Sequence, residues 1–174
     1  MKKVAPVLLA IAAVGLIGAC GDDSSYDSSV ATTTSVAATT TTMVVTPGTP
    51  SAVLASTPWE TTSAANATGA YLPLTDPNVS NYVGFAYFKP DGTFTMYNLD
   101  DSPKMQGDWS VSPDGKTRTL VVRNDAGEEQ FRRDVDIVTL IDTEFTYRVY
   151  PDAEDKSVYF DIIHTPTDHP EPSS

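Results

Sequence analysis

The chain has 174 residues, with 11 Lys and Arg against 23 Asp and Glu, a formal charge of −12 at pH 7. A surface of that sign repels phosphate backbones and excludes nucleic acid as a partner. A single cysteine excludes a disulfide framework and any cysteine-based zinc site, and two histidines leave little for metal or general-base chemistry.

Met1-Lys2-Lys3 forms a short positive start, followed by an apolar run from Val4 to Ile17. That run is shorter than the ~20 residues needed to cross a bilayer as a helix and fits the apolar region of an export signal. It ends in Ile17-Gly18-Ala19-Cys20, which resembles the lipobox of bacterial lipoproteins. The resemblance implies a signal peptide over 1–19, removal of that peptide, and Cys20 diacylated as the first mature residue. Two acyl chains, at ~0.8 kcal/mol per buried methylene, would hold the protein on the extracytoplasmic face of the cell membrane.

Residues 20–55 read as a tether. Between Gly21 and Ala55 there are 6 Ser and 9 Thr, and no aromatic residue follows Tyr26. Nothing there is periodic or bulky enough to bury a core, so the segment is expected to be a disordered, solvated spacer, with its threonine runs candidates for O-glycosylation. The sequons at Asn66 and Asn78 read as chance in a chain with a bacterial lipobox.

From Thr57 onward the apolar runs are short, β-branched or aromatic. The pattern predicts strands over 57–62, 82–88, 93–99, 104–111, 117–123, 129–141, 144–150 and 157–164. Between them lie turn signals, including two copies of X-Pro-Asp-Gly at 89–92 and 112–115. Connections this short force antiparallel neighbours. The expected fold is therefore all-β, an antiparallel up-and-down meander of about eight strands closing into a small barrel over residues 56–165, followed by a Pro-rich tail at 166–174. Parity assigns the interior. Val83, Phe85 and Tyr87 are expected to share the inner face with Phe94 and Met96. Met105, Gly107, Trp109 and Val111 join Leu120 and Val122, and Phe145, Tyr147 and Val149 join Val158, Phe160 and Ile162. The parity break in 129–141 calls for a β-bulge near Asp136.

Trp59-Glu60-Thr61-Thr62, Asp91-Gly92-Thr93-Phe94, Lys104-Met105-Gln106-Gly107-Asp108-Trp109 and Phe145-Thr146-Tyr147-Arg148-Val149-Tyr150-Pro151 carry a second resemblance. Over about 57–167 the chain is similar to a family of bacterial lipoprotein domains of unknown function. The resemblance implies a lipocalin-like barrel and brings no activity, cofactor or site.

No nucleophile–base, metal-ligand or phosphate-loop motif is present, so the chain is read as a non-enzyme, with no catalytic residue, metal or cofactor assigned. Asp152-Ala153-Glu154-Asp155 lacks the spacing of a calcium loop. Asp161 and His164 fall on opposite faces of one strand, His164 is expected at a barrel end or in solvent, and His169 in a disordered tail. Arg148 and Asp161 are read as a surface ion pair. Trp59 and Trp109 read as core plugs, with Trp109 kept as a candidate ligand platform.

Arg118 and Arg133 are the candidate ligand-binding pair. Each shares parity with apolar neighbours, so both point inward near one end, opposite each other. Like charges so placed need something negative between them, either Glu129 or a ligand carboxylate or phosphate. The expected function is a lipid-anchored binding module for a small apolar or anionic amphipathic ligand. The alternative is a protein-interaction or cell-envelope structural domain with a filled barrel, contacting partners through Tyr82, Phe88, Tyr97 and Tyr159.

Overall fold

The computed structural model describes residues 45–173; the expected signal peptide over 1–19, Cys20 and most of the expected tether lie outside them. The described chain runs α1 (Pro50–Leu54), β1 (Trp59–Asn66), β2 (Tyr71–Leu72), a 3-10 turn (Ser80–Tyr82), β3 (Phe85–Phe88), β4 (Thr93–Tyr97), β5 (Pro103–Val111), β6 (Thr117–Arg123), β7 (Glu129–Ile141), β8 (Glu144–Val149) and β9 (Phe160–Pro166). Strands β3 to β9 pair consecutively and antiparallel. β1 then closes the sheet, pairing with β9 from Trp59↔Pro166 to Asn66↔Phe160 and with β3 at Trp59↔Ala86 and Glu60↔Phe85. Eight strands thus form a closed antiparallel barrel, and the two-residue β2 adds to β1 as a ninth.

One end is sealed. The turns at 89–92, 112–116 and 142–143 lie at that end with α1, which sits against the 112–116 turn at Gly115 and whose Leu54 is fully buried. The Trp59 indole donates to the Leu54 carbonyl at 2.9 Å, which fixes the helix on the barrel. Below it Trp59 meets Phe145 edge-on at 5.9 Å, and Phe88 meets Trp109 at 5.5 Å and Phe145 at 6.2 Å. Packing therefore begins at α1, inside the stretch that composition assigned to the tether.

Three parity assignments meet the structure differently. β5–β6 and β8–β9 have the expected odd register sums, through Trp109↔Leu120 and Tyr147↔Ile162, although β9 starts at Phe160 and leaves Val158 exposed. The β3–β4 hairpin does not. Its pairs are Phe85↔Tyr97, Ala86↔Met96 and Phe88↔Phe94, so Ala86 and Phe88 point inward, and Phe85 and Tyr87 point outward. The cause is the turn: Lys89 N–H donates to Thr93 O at 2.8 Å and closes a three-residue loop over 90–92, with Gly92 at φ 89°, which makes the register sum even. The bulge expected near Asp136 lies between Ile137 and Thr139, where Val138 is pushed outward and Leu140 takes over the inner face opposite Phe145.

The tight curl of the sheet demands glycine at Gly107. It sits at φ 153°, and a Cβ there would meet the Val121 carbonyl oxygen at 2.0 Å. Gly127, at φ 80° in an open turn, has nothing within 4 Å. Gly107→Ala is expected to cost about 2 kcal/mol or more, because backbone must move, and Gly127→Ala only ~1 kcal/mol for the positive φ. Urea denaturation of the two variants measures the difference.

Candidate functional site at the open barrel mouth

At the other end the segment 67–84 crosses the barrel and buries Val79 over part of the opening, with Leu72, Leu74 and Tyr82 packed beside it. The rest of that end remains open between β4 and β7. Met96, Met105, Val122 and Phe131, all of inward parity, border an apolar-walled cleft of about 310 Å³ together with Tyr97, Lys104 and Arg123. Phe131 is 41% exposed, although its strand neighbour Val135 is buried, because nothing crosses above it.

Next to the cleft lies a small void of about 20 Å³, room for one water-sized group. It shares Met96, Tyr97 and Lys104 with the cleft and is walled further by residues 83–86 and by the polar side chains of Thr61, Tyr82, Arg118, Tyr147 and His164. Arg118 is placed there by the Val111↔Arg118↔Val135 register. It is 2% exposed, and its guanidinium lies 4.4 Å from the Tyr147 ring centroid, 5.4 Å from Phe145 and 5.8 Å from Phe88. Among the described residues no carboxylate pairs with it, and its Nε has no hydrogen-bond partner. Ring faces offset part of the desolvation of a guanidinium, at ~2 kcal/mol each in a dry site, against several kcal/mol for burying the ion.

The surrounding groups are tuned chiefly by burial. Burial lowers the basicity of Arg118 itself. Burial, with Arg118 adding repulsion, pulls His164 down to about 3, so its imidazole is neutral and donates from Nδ1 to the Phe145 carbonyl at 3.1 Å. Burial raises the Tyr147 phenol, against the pull of Arg118 and Arg133. Lys104, its basicity lowered by burial, donates to Val83 O at 2.6 Å. The set is two cations, the phenols of Tyr82, Tyr97 and Tyr147, a hydroxyl and a neutral imidazole, with no acid; the Thr61 hydroxyl is directed at the Tyr82 and Gly84 carbonyls, and the imidazole proton goes to Phe145 O. The donor left to suit one oxygen of an anion is the unpartnered Arg118 Nε–H.

The sequence-selected residues divide. Arg118 lies in the interior as expected. Arg133 has inward parity but pairs with Leu120 rather than facing Arg118, so the two arginines are diagonal, not opposed. Arg133 is exposed at the mouth, 5.6 Å from both the Tyr82 and Phe131 ring centroids, and borders a second, more polar cleft of about 310 Å³ with Arg148, Tyr150 and Lys156. Glu129 turns to Arg132 at 3.4 Å and stands between neither arginine. Trp109 is buried, and its indole donates to Lys89 O at 3.0 Å, so it plugs the sealed end rather than lining the mouth. His164 is buried inside the barrel, not at its rim. Sequence reasoning gave Lys104 no role at the site, placed Tyr147 on the inner face without a role, and read Tyr82 as an outer contact. Tyr147 was already on the inner face and adjacent to Arg118 by parity, a signal that pointed to it. Arg148 and Asp161 form a bidentate pair at 2.7 and 2.9 Å directly across β8–β9, with Tyr159 under the guanidinium at 3.6 Å. No group of three or more His, Cys, Asp or Glu side chains converges among the described residues.

The depressed His164 fixes a pH dependence. Its folded value of about 3 lies below the ordinary 6.5, so between those values the unfolded chain binds the extra proton. The His164 contribution is complete above pH 6.5 and is lost as pH falls toward 3, with a slope approaching ~1.4 kcal/mol per pH unit. Asp91 and Asp114, held below the usual carboxylate range by hydrogen bonds, act only beneath about pH 4. Urea denaturation at pH 7, 6 and 5 should show the His164 slope, and His164→Gln should remove it. Arg118→Met is expected to be neutral or stabilising by ~1–3 kcal/mol in anion-poor buffer, since a lone buried ion is exchanged for an apolar chain of similar length.

A solved structure described as a lipocalin-like protein from Bacteroides uniformis ATCC 8492 is similar to this chain at 13% identity, covering 64% of this chain and 96% of its own, with a TM-score of 0.43. No curated protein matches the chain. A family model described as a domain of unknown function (DUF4822) matches residues 51–174, from within α1 to the C-terminus, and the chain belongs to that family.

Proposed function

We propose that the domain is a binding module for small anionic amphipathic molecules, held on the extracytoplasmic face of the membrane by acylated Cys20. The observation that carries the reading is Arg118, a buried guanidinium without an acid partner, lining a void that shares Met96, Tyr97 and Lys104 with an apolar cleft. A carboxylate or phosphate monoester places one oxygen in the void and the rest of its head group at the rim near Lys104. Its alkyl chain lies along Met96, Met105, Val122 and Phe131. Methionines suit that task because their side chains adapt to varied shapes. The ligand stays at the mouth. The barrel below is filled by Trp59, Phe88, Phe94, Trp109, Leu120 and Phe145 and has no room for an apolar molecule.

The distinguishing feature is the sign of the head group. In calorimetric titration, decyl phosphate or decanoate is expected to bind, and decyltrimethylammonium, with the same chain, is not. Arg118→Met should weaken the anionic probes by about tenfold or more, the worth of one charge-assisted hydrogen bond. Equal binding of both head groups, or unchanged affinity in Arg118→Met, would overturn the proposal. The anchor has its own readout: incorporation of an alkynyl palmitate into the wild-type chain and its loss in Cys20→Ala.

A further inference from the structure

The outward aromatics of the misassigned hairpin form a cluster of their own. Phe85, Tyr87 and Tyr97 are each buried, yet they belong to no part of the barrel interior. What covers them is the C-terminal tail. After β9, Thr167 N–H donates to Pro58 O at 3.1 Å, and the chain then runs over the outer face of β3 and β4. The His169 ring stacks on Phe85 at 4.0 Å with an interplanar angle of 10°. Its Nδ1 lies 2.8 Å from the Tyr87 hydroxyl, and its Nε2 lies 3.3 Å from Asp101. The Tyr87 hydroxyl is also 3.1 Å from Pro170 O, and Tyr97 donates to Pro172 O at 3.1 Å. Glu171, between the prolines, pairs with Lys89 at 3.0 Å and accepts from Thr95. Burial, with Asp101 and Glu171 nearby, pushes the Tyr87 phenol up to about 12, so its hydroxyl keeps its proton throughout the ordinary pH range.

The components are those by which proline-rich segments are recognised: a surface of clustered aromatic side chains, with Tyr87 and Tyr97 edge to face at 81°, and tyrosine hydroxyls reaching the carbonyls of Pro170 and Pro172, two residues apart. The cation at Lys89 adds a preference for an acid between the prolines. The receptor side belongs wholly to the β3–β4 hairpin and its turns, whose pairing does not involve the tail. The tail side contributes nothing to the barrel core.

We propose that the outer face of β3 and β4 is a docking surface for proline-rich peptides. The chain's own His169-Pro170-Glu171-Pro172 occupies it in cis, and a partner segment carrying Pro-Glu-Pro displaces it in trans. The cis segment is tethered by a few residues and holds the surface at an effective concentration in the millimolar range, so a partner must either bind more tightly or arrive with several such segments. This inference does not rest on the ligand site at the mouth; Tyr97 borders both, and its hydroxyl is turned to the tail at Pro172.

The test uses the full chain and a synthetic peptide spanning Pro166 to Ser174. A variant with His169→Ala, Glu171→Lys and Pro172→Ala in its own tail leaves the barrel residues untouched and releases the surface. Fluorescence anisotropy of the labelled peptide is expected to show binding to the released variant about tenfold or more tighter than to wild type, the difference being the cis competition. A peptide with Pro170 and Pro172 replaced by alanine should not bind, and adding Tyr87→Phe and Tyr97→Phe to the released variant should abolish binding. Far-ultraviolet dichroism and the emission of Trp59 and Trp109 report that each variant is folded. Failure of the folded, released variant to bind, or equal binding of the proline and alanine peptides, would overturn the proposal. As a second measurement, Tyr87→Phe with Tyr97→Phe in the otherwise wild-type chain should speed proteolytic removal of the tail; an unchanged rate counts against it.

Discussion

An eight-stranded barrel has an interior about as wide as the side chains that fill it, so every inward position is a choice about volume and polarity. Along β5 to β9 those choices are nearly all apolar, and the sealed end is packed with Trp59, Phe88, Trp109 and Phe145 around Leu54. Arg118 is the departure. It occupies a position that Leu or Met would fill more cheaply, it meets ring faces rather than an acid, and its field adds to the burial that holds His164 neutral. On the Tyr147 phenol it acts the other way, drawing down a group that burial raises.

The architecture was legible because turn chemistry and parity agree over most of the chain. β6 and β7 match their expected bounds, and Trp109↔Leu120 and Tyr147↔Ile162 are the pairs that alternation requires. The failures have local causes. At Lys89-Pro90-Asp91-Gly92 the same four-residue signature as at 112–115 gives the other register, because Thr93 O takes the Lys89 N–H and closes a loop of three residues, 90–92. The second copy closes from Ser112 to Thr117 instead, around four residues. Residue types do not encode which closure is chosen; the partner strand decides it. Ala86 inside and Tyr87 outside then contradict hydrophobicity alone, and only the tail makes sense of the outcome.

The tail was opaque for a related reason. Pro, Glu, Asp and Ser in the last residues carry no periodicity and read as solvated chain. Their order comes entirely from a surface formed by residues about 75–85 positions earlier, through Thr95–Glu171 and Tyr87–Pro170. The mouth was half legible in the same sense. Inward parity identified Arg118 and Arg133, but the depth of each depends on what crosses the barrel end. Val79 and Tyr82 cover the side nearest β1, and Phe131 and Arg133 are left open.

Charge is distributed by depth, and this sets the terms on which an anion would bind. The chain carries −12 overall, while the void beneath the mouth is lined by Arg118 and Lys104 without an acid. Long-range attraction therefore cannot bring an anion in, because the outer field opposes it, and beyond about 8–10 Å salt screens what remains. The favourable contacts are short-ranged and desolvated: a guanidinium and an ammonium whose hydration has already been stripped by folding, beside rings that exclude water. A free inorganic anion must lose its own hydration with nothing else to offset the loss. An amphiphile also buries its chain against Met96, Met105, Val122 and Phe131 at ~25 cal/mol per Å². The same arrangement that makes Arg118 a cost in the empty barrel thus favours ligands that combine one anionic oxygen with an apolar body.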